Sequence, residues 1–216
     1  MHVGIIGGTG PAGRGLAVRL AAGGSQVTIG SRDAERAAGV VSATLARWPD
    51  RTLAVEGAAN PVAADAEVVV VATPWDSAPA TVRALADALA GKVVVSMANA
   101  LVKDGREMLA LVPPRGSVAA AVQAAAPAAL VAASFHHLPA AKMEDLDAGL
   151  GADVLVCSDH REATEATMAL VHSIEGLRPL DAGSLNQAAA IEAFTAVCVT
   201  LNIRYRAHST LALAGI

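Results

Sequence analysis

Residues Gly8-Thr9-Gly10-Pro11-Ala12-Gly13 carry glycines at the spacing Gly-x-Gly-x-x-Gly, directly after the apolar run VGIIG. That spacing suits dinucleotide chemistry. The first glycine permits a tight turn out of a strand, the second lets the backbone approach a pyrophosphate, and the third lets the next helix pack on the strand. Unpaired N–H groups and the positive dipole end of that helix would face the same phosphates, and Pro11 and Gly15 are compatible with such a start. A glycine-rich turn can also be merely structural. Here its position after the first strand of the chain favours Gly8, Gly10 and Gly13 as a nucleotide site.

The stretch TIGSRDAER, from Thr28 to Arg36, narrows the choice of nucleotide. Sites for NAD place Asp or Glu about 20 residues beyond the glycines, to bind the ribose 2′-hydroxyl. This chain has Gly30, Ser31 and Arg32 there instead. A carboxylate would repel a 2′-phosphate, whereas Ser31 can donate a hydrogen bond and Arg32 a charged fork. Arg36, one helical turn on, can add a second cation. Asp33 argues the other way, since a shift of two residues would supply an acid. The plainer alternative makes Asp33 a first-turn helix residue and leaves both arginines solvated. The balance predicts NADP(H).

The segments GIIGGTGPAGRGLAVRLAAGG, VTIGSRDAER, VVVVATPW, ASFHHLPA, GLRPLDAGSL and RYRAH, in that order along the chain, resemble the NADPH-dependent reductases of the deazaflavin coenzyme F420. The first two are shared with many reductases; FHHLPA and GLRPLDAG are more particular. The resemblance implies hydride transfer between C4 of a nicotinamide and C5 of the deazaflavin. It implies that Thr9, Gly10, Pro11 and Ala12 wrap the pyrophosphate, and that Ser31, Arg32 and Arg36 hold the 2′-phosphate. Thr73, Pro74 and Trp75 would lie along the ribose, with Ser96 and Asn99 at the next strand end facing the crevice. Relatives often continue Asn-Pro where this chain has Asn99-Ala100. His136, by hydrogen bonding, and Leu138, by packing and backbone contact, would hold the deazaflavin and are the catalytic expectation. The phosphate and glutamate tail of F420 needs cations, for which Lys103, Arg106, Lys142, Arg204 and Arg206 are candidates. Cations in a last helical turn suit its dipole in any case. On residues alone, His136 and His137 are two histidines after a strand, with a structural role equally open. A metal site is disfavoured, because adjacent residues of an extended segment point opposite ways.

These residues need strand ends and helix starts to position them. Short β-branched runs alternate with Ala/Leu-rich periodic segments, which predicts a Rossmann-like, doubly wound, mostly parallel α/β sheet with a short C-terminal helical cap. Strands are predicted over 2–6, 26–29, 67–71, 92–96, 130–135, 153–157 and 177–180, with a weak one near 52–55. Helices are predicted over 12–22, 33–46, 77–89, 116–125, 161–173 and 184–206. Most strand runs are apolar at successive positions, as when both faces of a sheet are covered. The turn-rich LRPLDAGSL reads as a hinge, dividing an NADP-binding domain (1–181) from a helical segment (182–216) that serves the F420 cleft and a dimer contact.

Composition bounds the rest. With 54% hydrophobic, 17% charged and 2% aromatic residues, the chain can build a large core, filled by Ala, Val and Leu. A net charge of −4 argues against a nucleic-acid partner. Cys157 and Cys198, in apolar surroundings, read as buried thiols of a reducing cytoplasm. The Ala-rich stretch 116–134 is broken by Gln123 and Pro127, so no membrane span is expected. The last helix is apolar around much of its circumference, which predicts a homodimer packed across it. A short-chain dehydrogenase is excluded, because Tyr205, the only tyrosine, is followed four residues on by Ser209 rather than Lys. A β-hydroxyacid-type dehydrogenase would need a larger helical tail. The alternatives are an NADPH-dependent reductase of another small acceptor (imine, flavin or ferric iron) and a non-catalytic NADP(H)-sensing protein.

Overall fold

Valine-rich runs become buried strands here because both of their faces find cover. The computed structural model describes residues 1–216. In chain order it has β1 (His2–Ile6), α1 (Pro11–Ala22), β2 (Gln26–Ser31), α2 (Ala34–Leu45), β3 (Val55–Ala59), α3 (Asn60–Ala64) and β4 (Val68–Val71). Then follow α4 (Ala78–Arg83), α5 (Ala86–Leu89), β5 (Val93–Ser96), β6 (Leu101–Asp104), β7 (Glu107–Ala110), α6 (Val118–Ala125) and β8 (Leu130–Ala133). The chain closes with α7 (Ala140–Glu144), β9 (Ala152–Ser158), α8 (Arg161–His172), β10 (Leu177–Asp181), a 3₁₀ turn (Leu185–Gln187) and α9 (Ala188–Tyr205).

An eight-stranded sheet runs in the order β10-β9-β8-β5-β4-β1-β2-β3. Its six strands from β3 to β8 are parallel and keep the order 3-2-1-4-5-6 of dinucleotide-binding folds. That order reverses between β1 and β4, and the crevice opens at their carboxyl ends. β9 pairs antiparallel to β8, and β10 parallel to β9. The two last strands therefore start at the crevice edge rather than end there. Along β4, Val68 and Val70 join one hydrophobic core, with Val3, Ile5, Leu16 and Leu170, while Val69 and Val71 join the other, with Val82, Val122 and Ile191. Each fully buried valine contributes about 1.5–3 kcal/mol.

The differences from expectation have local causes. The strand expected near 52–55 lies at Val55–Ala59, paired with β2 from Val27↔Val55 onward. The helix expected over 77–89 is broken at Leu85 (φ −116°), yet Val82, Leu85 and Leu89 all face the second core. The strand expected to reach Phe135 stops at Ala133, because Phe135 takes a left-handed φ of 66°. α3, α7 and the β6–β7 hairpin were not foreseen; a helix of five residues spans too few turns to show a period. The last helix opens with a 3₁₀ turn. Cys157 is buried, its thiol pushed up to about 12 by burial and by Glu192, whereas Cys198 is only half-buried. No helix is long and apolar enough to cross a membrane.

Candidate active site

A crevice of about 740 Å³ lies at the carboxyl ends of β1, β2, β4 and β5. Gly7, rather than Gly8, makes the left-handed turn out of β1 (φ 68°), where a Cβ would collide with Thr73. Gly8 and Gly13 are the packing pair: a Cβ on Gly13 would lie 2.6 Å from the Gly8 backbone. A Cβ on Gly10 would meet nothing within 4 Å, so this residue presents bare backbone to the opening. α1 starts at Pro11 without a side-chain cap, leaving its first N–H groups free for an anion. Thr9, Gly10, Pro11, Ala12 and Gly13 all line the crevice.

Ser31, Arg32 and Arg36 line its far end together with Asp33. Asp33 N-caps α2, accepting from the Arg36 N–H at 3.1 Å, and its own N–H donates to Ser31 Oγ at 3.2 Å. Its carboxylate is thus engaged with the helix start, while the Ser31 hydroxyl hydrogen and both exposed guanidinium groups remain available. Hydroxyl, two cations and bare backbone fit a dinucleotide whose adenosine ribose carries a phosphate.

At the other end, β5 and β8 pair in register, Ser96↔Ala133. Asn99 and His136 each follow three residues later. Asn99 Nδ2 donates to the His136 carbonyl at 3.0 Å. The left-handed Phe135 just before is 2% exposed and packs into the first core. Such a conformation costs about 1–3 kcal/mol, which burying the ring offsets. The His136 ring, expected to hold the deazaflavin, is 4% exposed and does not line the crevice; its nitrogens lie against the Met97 and Ala98 backbone. Burial, and His137 beside it, push this imidazole down to about 3, so it is neutral. His137 Nε2 bonds the Asp153 carbonyl at 2.8 Å. Asp153 is gripped in turn by the Arg178 fork at 2.6 and 2.8 Å, and the Leu213 N–H donates to it at 2.6 Å. Leu138 lines a small apolar recess with Ala12, Leu16, Met97, Phe135 and Met143. The recess adjoins the crevice through Ala12 and Met97, which line both.

Not every predicted residue reaches the opening. Thr73, Pro74 and Asn99 line it, but Trp75 packs against the second core. Ser96 is fully buried beneath the floor, its hydroxyl without a partner. Among the predicted cations, Arg204 pairs with Glu107, and Arg206 ends α9 in a left-handed conformation (φ 51°). Sequence reasoning missed Asn60, whose Oδ1 accepts from the Gly7 N–H at 3.1 Å and fixes the phosphate loop. An Asn-Pro pair opening a helix straight after a strand was the available signal.

A family model described as "NADP oxidoreductase coenzyme F420-dependent" matches residues 2–100. The F420-dependent NADP reductase of Methanocaldococcus jannaschii is 34% identical over 215 residues, 97% of this chain and 96% of that protein. The chain belongs to the F420-dependent NADP reductase family. The family member of Methanothermobacter thermautotrophicus is 36% identical over 214 residues, covering 97% of this chain and 92% of its own. The crystal structure of a putative F420-dependent NADP reductase from Arthrobacter sp. FB24 superposes with a TM-score of 0.75 at 28% identity, covering 98% of this chain and 99% of that one. An imine reductase from Streptomyces aurantiacus shares the fold at a TM-score of 0.58 and 21% identity, with 95% of this chain matched to 62% of that one.

Proposed function

We propose that this protein transfers a hydride between NADP(H) and the deazaflavin coenzyme F420. The observation that carries the reading is the junction of two strand ends. Asn99, on the dinucleotide crevice, holds the carbonyl of His136, in the segment for which the resemblance of FHHLPA implies a deazaflavin contact. Thr9 to Ala12 and the start of α1 bind the pyrophosphate. Ser31, Arg32 and Arg36 read the 2′-phosphate, and Thr73 and Pro74 flank the sugar. When both are bound, NADPH supplies the hydride and the deazaflavin accepts it; the protein's part is orientation, exclusion of water and electrostatics. Leu138 and Met97, backed by the buried Phe135, give an apolar edge against which a flat ring can lie. The neutral His136 imidazole is buried behind this edge and shapes the acceptor segment from beneath, its carbonyl held by Asn99.

The first test is spectrophotometric. Deazaflavin absorbance should fall rapidly with NADPH, little with NADH, and FMN should not replace F420. Tight NADPH binding without F420 reduction would overturn the acceptor while leaving the dinucleotide site intact. The same proposal includes a cytoplasmic homodimer. Phe194, Val197 and Leu201 on α9 are 39%, 51% and 41% exposed, a stripe that a second copy would cover. Light scattering at micromolar concentration should give twice the chain mass; a monomer would remove the dimer from the reading.

A further inference from the structure

The acceptor segment does not stand free beyond Leu138. It runs into α7, five residues long and too short to persist in water alone. α1 holds it. At the crossing stands Gly15, where a Cβ would lie 2.6 Å from Met143 Cβ and 3.1 Å from Glu144 N. Arg19, 7% exposed, donates to the carbonyls of Met143, Lys142 and Ala148 at 3.2, 2.8 and 2.7 Å, and to that of Asp145. These bonds join α7 to the flank of α1 and do not reach the phosphate loop.

Arg14 makes a different connection. Its Nη1 donates to the Thr9 carbonyl at 3.0 Å, inside the phosphate loop. Its Nε and Nη2 reach Glu144 Oε1 at 3.0 and 2.7 Å. The other Glu144 oxygen takes Arg47, beyond the end of α2, at 3.0 Å. The Arg14 and Glu144 side chains are 28% and 15% exposed, sheltered enough to escape most of the screening that weakens surface pairs. One planar guanidinium thus spans from a backbone atom of the phosphate loop to α7, whose first residue lies two positions beyond Leu138.

We infer that Arg14, acting through Glu144, is a positioning residue: it makes the seat of residues 138–148 depend on occupancy of the phosphate loop. A pyrophosphate ordering Thr9 fixes the carbonyl that Arg14 holds, and Arg14 then fixes Glu144. NADP(H) thereby prepares the surface on which the acceptor lies. The inference rests on the proposed function for the identity of that acceptor, but not for the linkage itself.

Hydrogen–deuterium exchange with and without NADPH tests the linkage, on the wild type, Glu144→Gln and Arg14→Lys. Lysine keeps the charge but cannot hold Thr9 and Glu144 together with a fork. In the wild type, NADPH should slow exchange in both 8–14 and 138–148. In both variants the slowing over 8–14 should remain and that over 138–148 should largely vanish. Calorimetric NADPH affinity should change by less than about threefold, while kcat/KM for F420 falls about 10-fold, within the usual range of coupling factors. A purely structural pair would alter exchange over 138–148 equally with and without NADPH. Full NADPH protection of 138–148 in either variant, or none in the wild type, would overturn the inference. Absence of F420 turnover by the wild type would instead overturn the acceptor, and the exchange result would still decide the linkage.

Discussion

Arg32 and Arg36 stand exposed at the crevice end where a carboxylate would serve a ribose hydroxyl. Charge-assisted hydrogen bonds of this kind are worth about 1.5–3 kcal/mol, so Arg32→Ala should raise KM for NADPH roughly 10–100-fold. KM for NADH should hardly move, and equal losses for both cofactors would refute the assignment. His136 makes a second expectation. Its imidazole, held at about 3 by burial, is neutral throughout the working range, so kcat/KM should show no histidine ionisation between about pH 5 and 8. Because the folded value lies below the ordinary 6.5, unfolding takes up a proton in acid. The stabilising contribution is present above about 6.5 and is lost as pH falls toward 3. Acid denaturation should therefore be less steep in His136→Gln. The glycine spacing and Ser31-Arg32 were legible because each is a local pattern. Asn60 and Asn99 were harder, since their partners lie 53 and 37 residues away and only the sheet brings them together.

Among elements, α1 does double duty: its N-terminus faces the crevice and its flank docks α7. Gly15→Ala should cost about 1–3 kcal/mol in urea denaturation, the usual penalty of overpacking, because a Cβ has no room beside Met143. F420 turnover should fall more than NADPH affinity. An unchanged midpoint would mean that α7 yields freely. The parallel strands were readable as apolar runs bounded by turns, and α1, α2, α6 and α8 as periodic segments. The short helices and the hairpin at 101–110 were not. Their form comes from tertiary partners, such as Thr200 on α9, whose hydroxyl accepts from the Met108 N–H at 2.8 Å.

In the molecule as a whole, α9 packs Ala188 and Ile191 into the second core and adds one buried carboxylate to that contact. Glu192, 4% exposed on α9, accepts from the N–H groups of Val118 and Ala119 at 2.8 and 3.0 Å. Burial still lifts it from 4.5 to about 7. The folded state thus keeps a proton that the unfolded chain has released, so this contribution is full below pH 4.5 and is lost as pH rises through about 7. Relative to wild type, Glu192→Gln should gain roughly 1–3 kcal/mol between pH 5 and 8, with the histidine contributions cancelling in the difference. A pH-independent difference would show that Glu192 is ionised throughout. The antiparallel turn of β9 was not legible, since a run of apolar residues carries no direction. Aromatic poverty has an optical consequence. The chain has two tryptophans, Trp48 and Trp75. Trp48 lies under Arg51 beyond the end of α2, while Trp75 is the neighbour of crevice-lining Pro74. Tryptophan emits where reduced nicotinamide absorbs, so Trp48→Phe leaves a single native donor for energy transfer to the dinucleotide, a ruler that needs no attached dye.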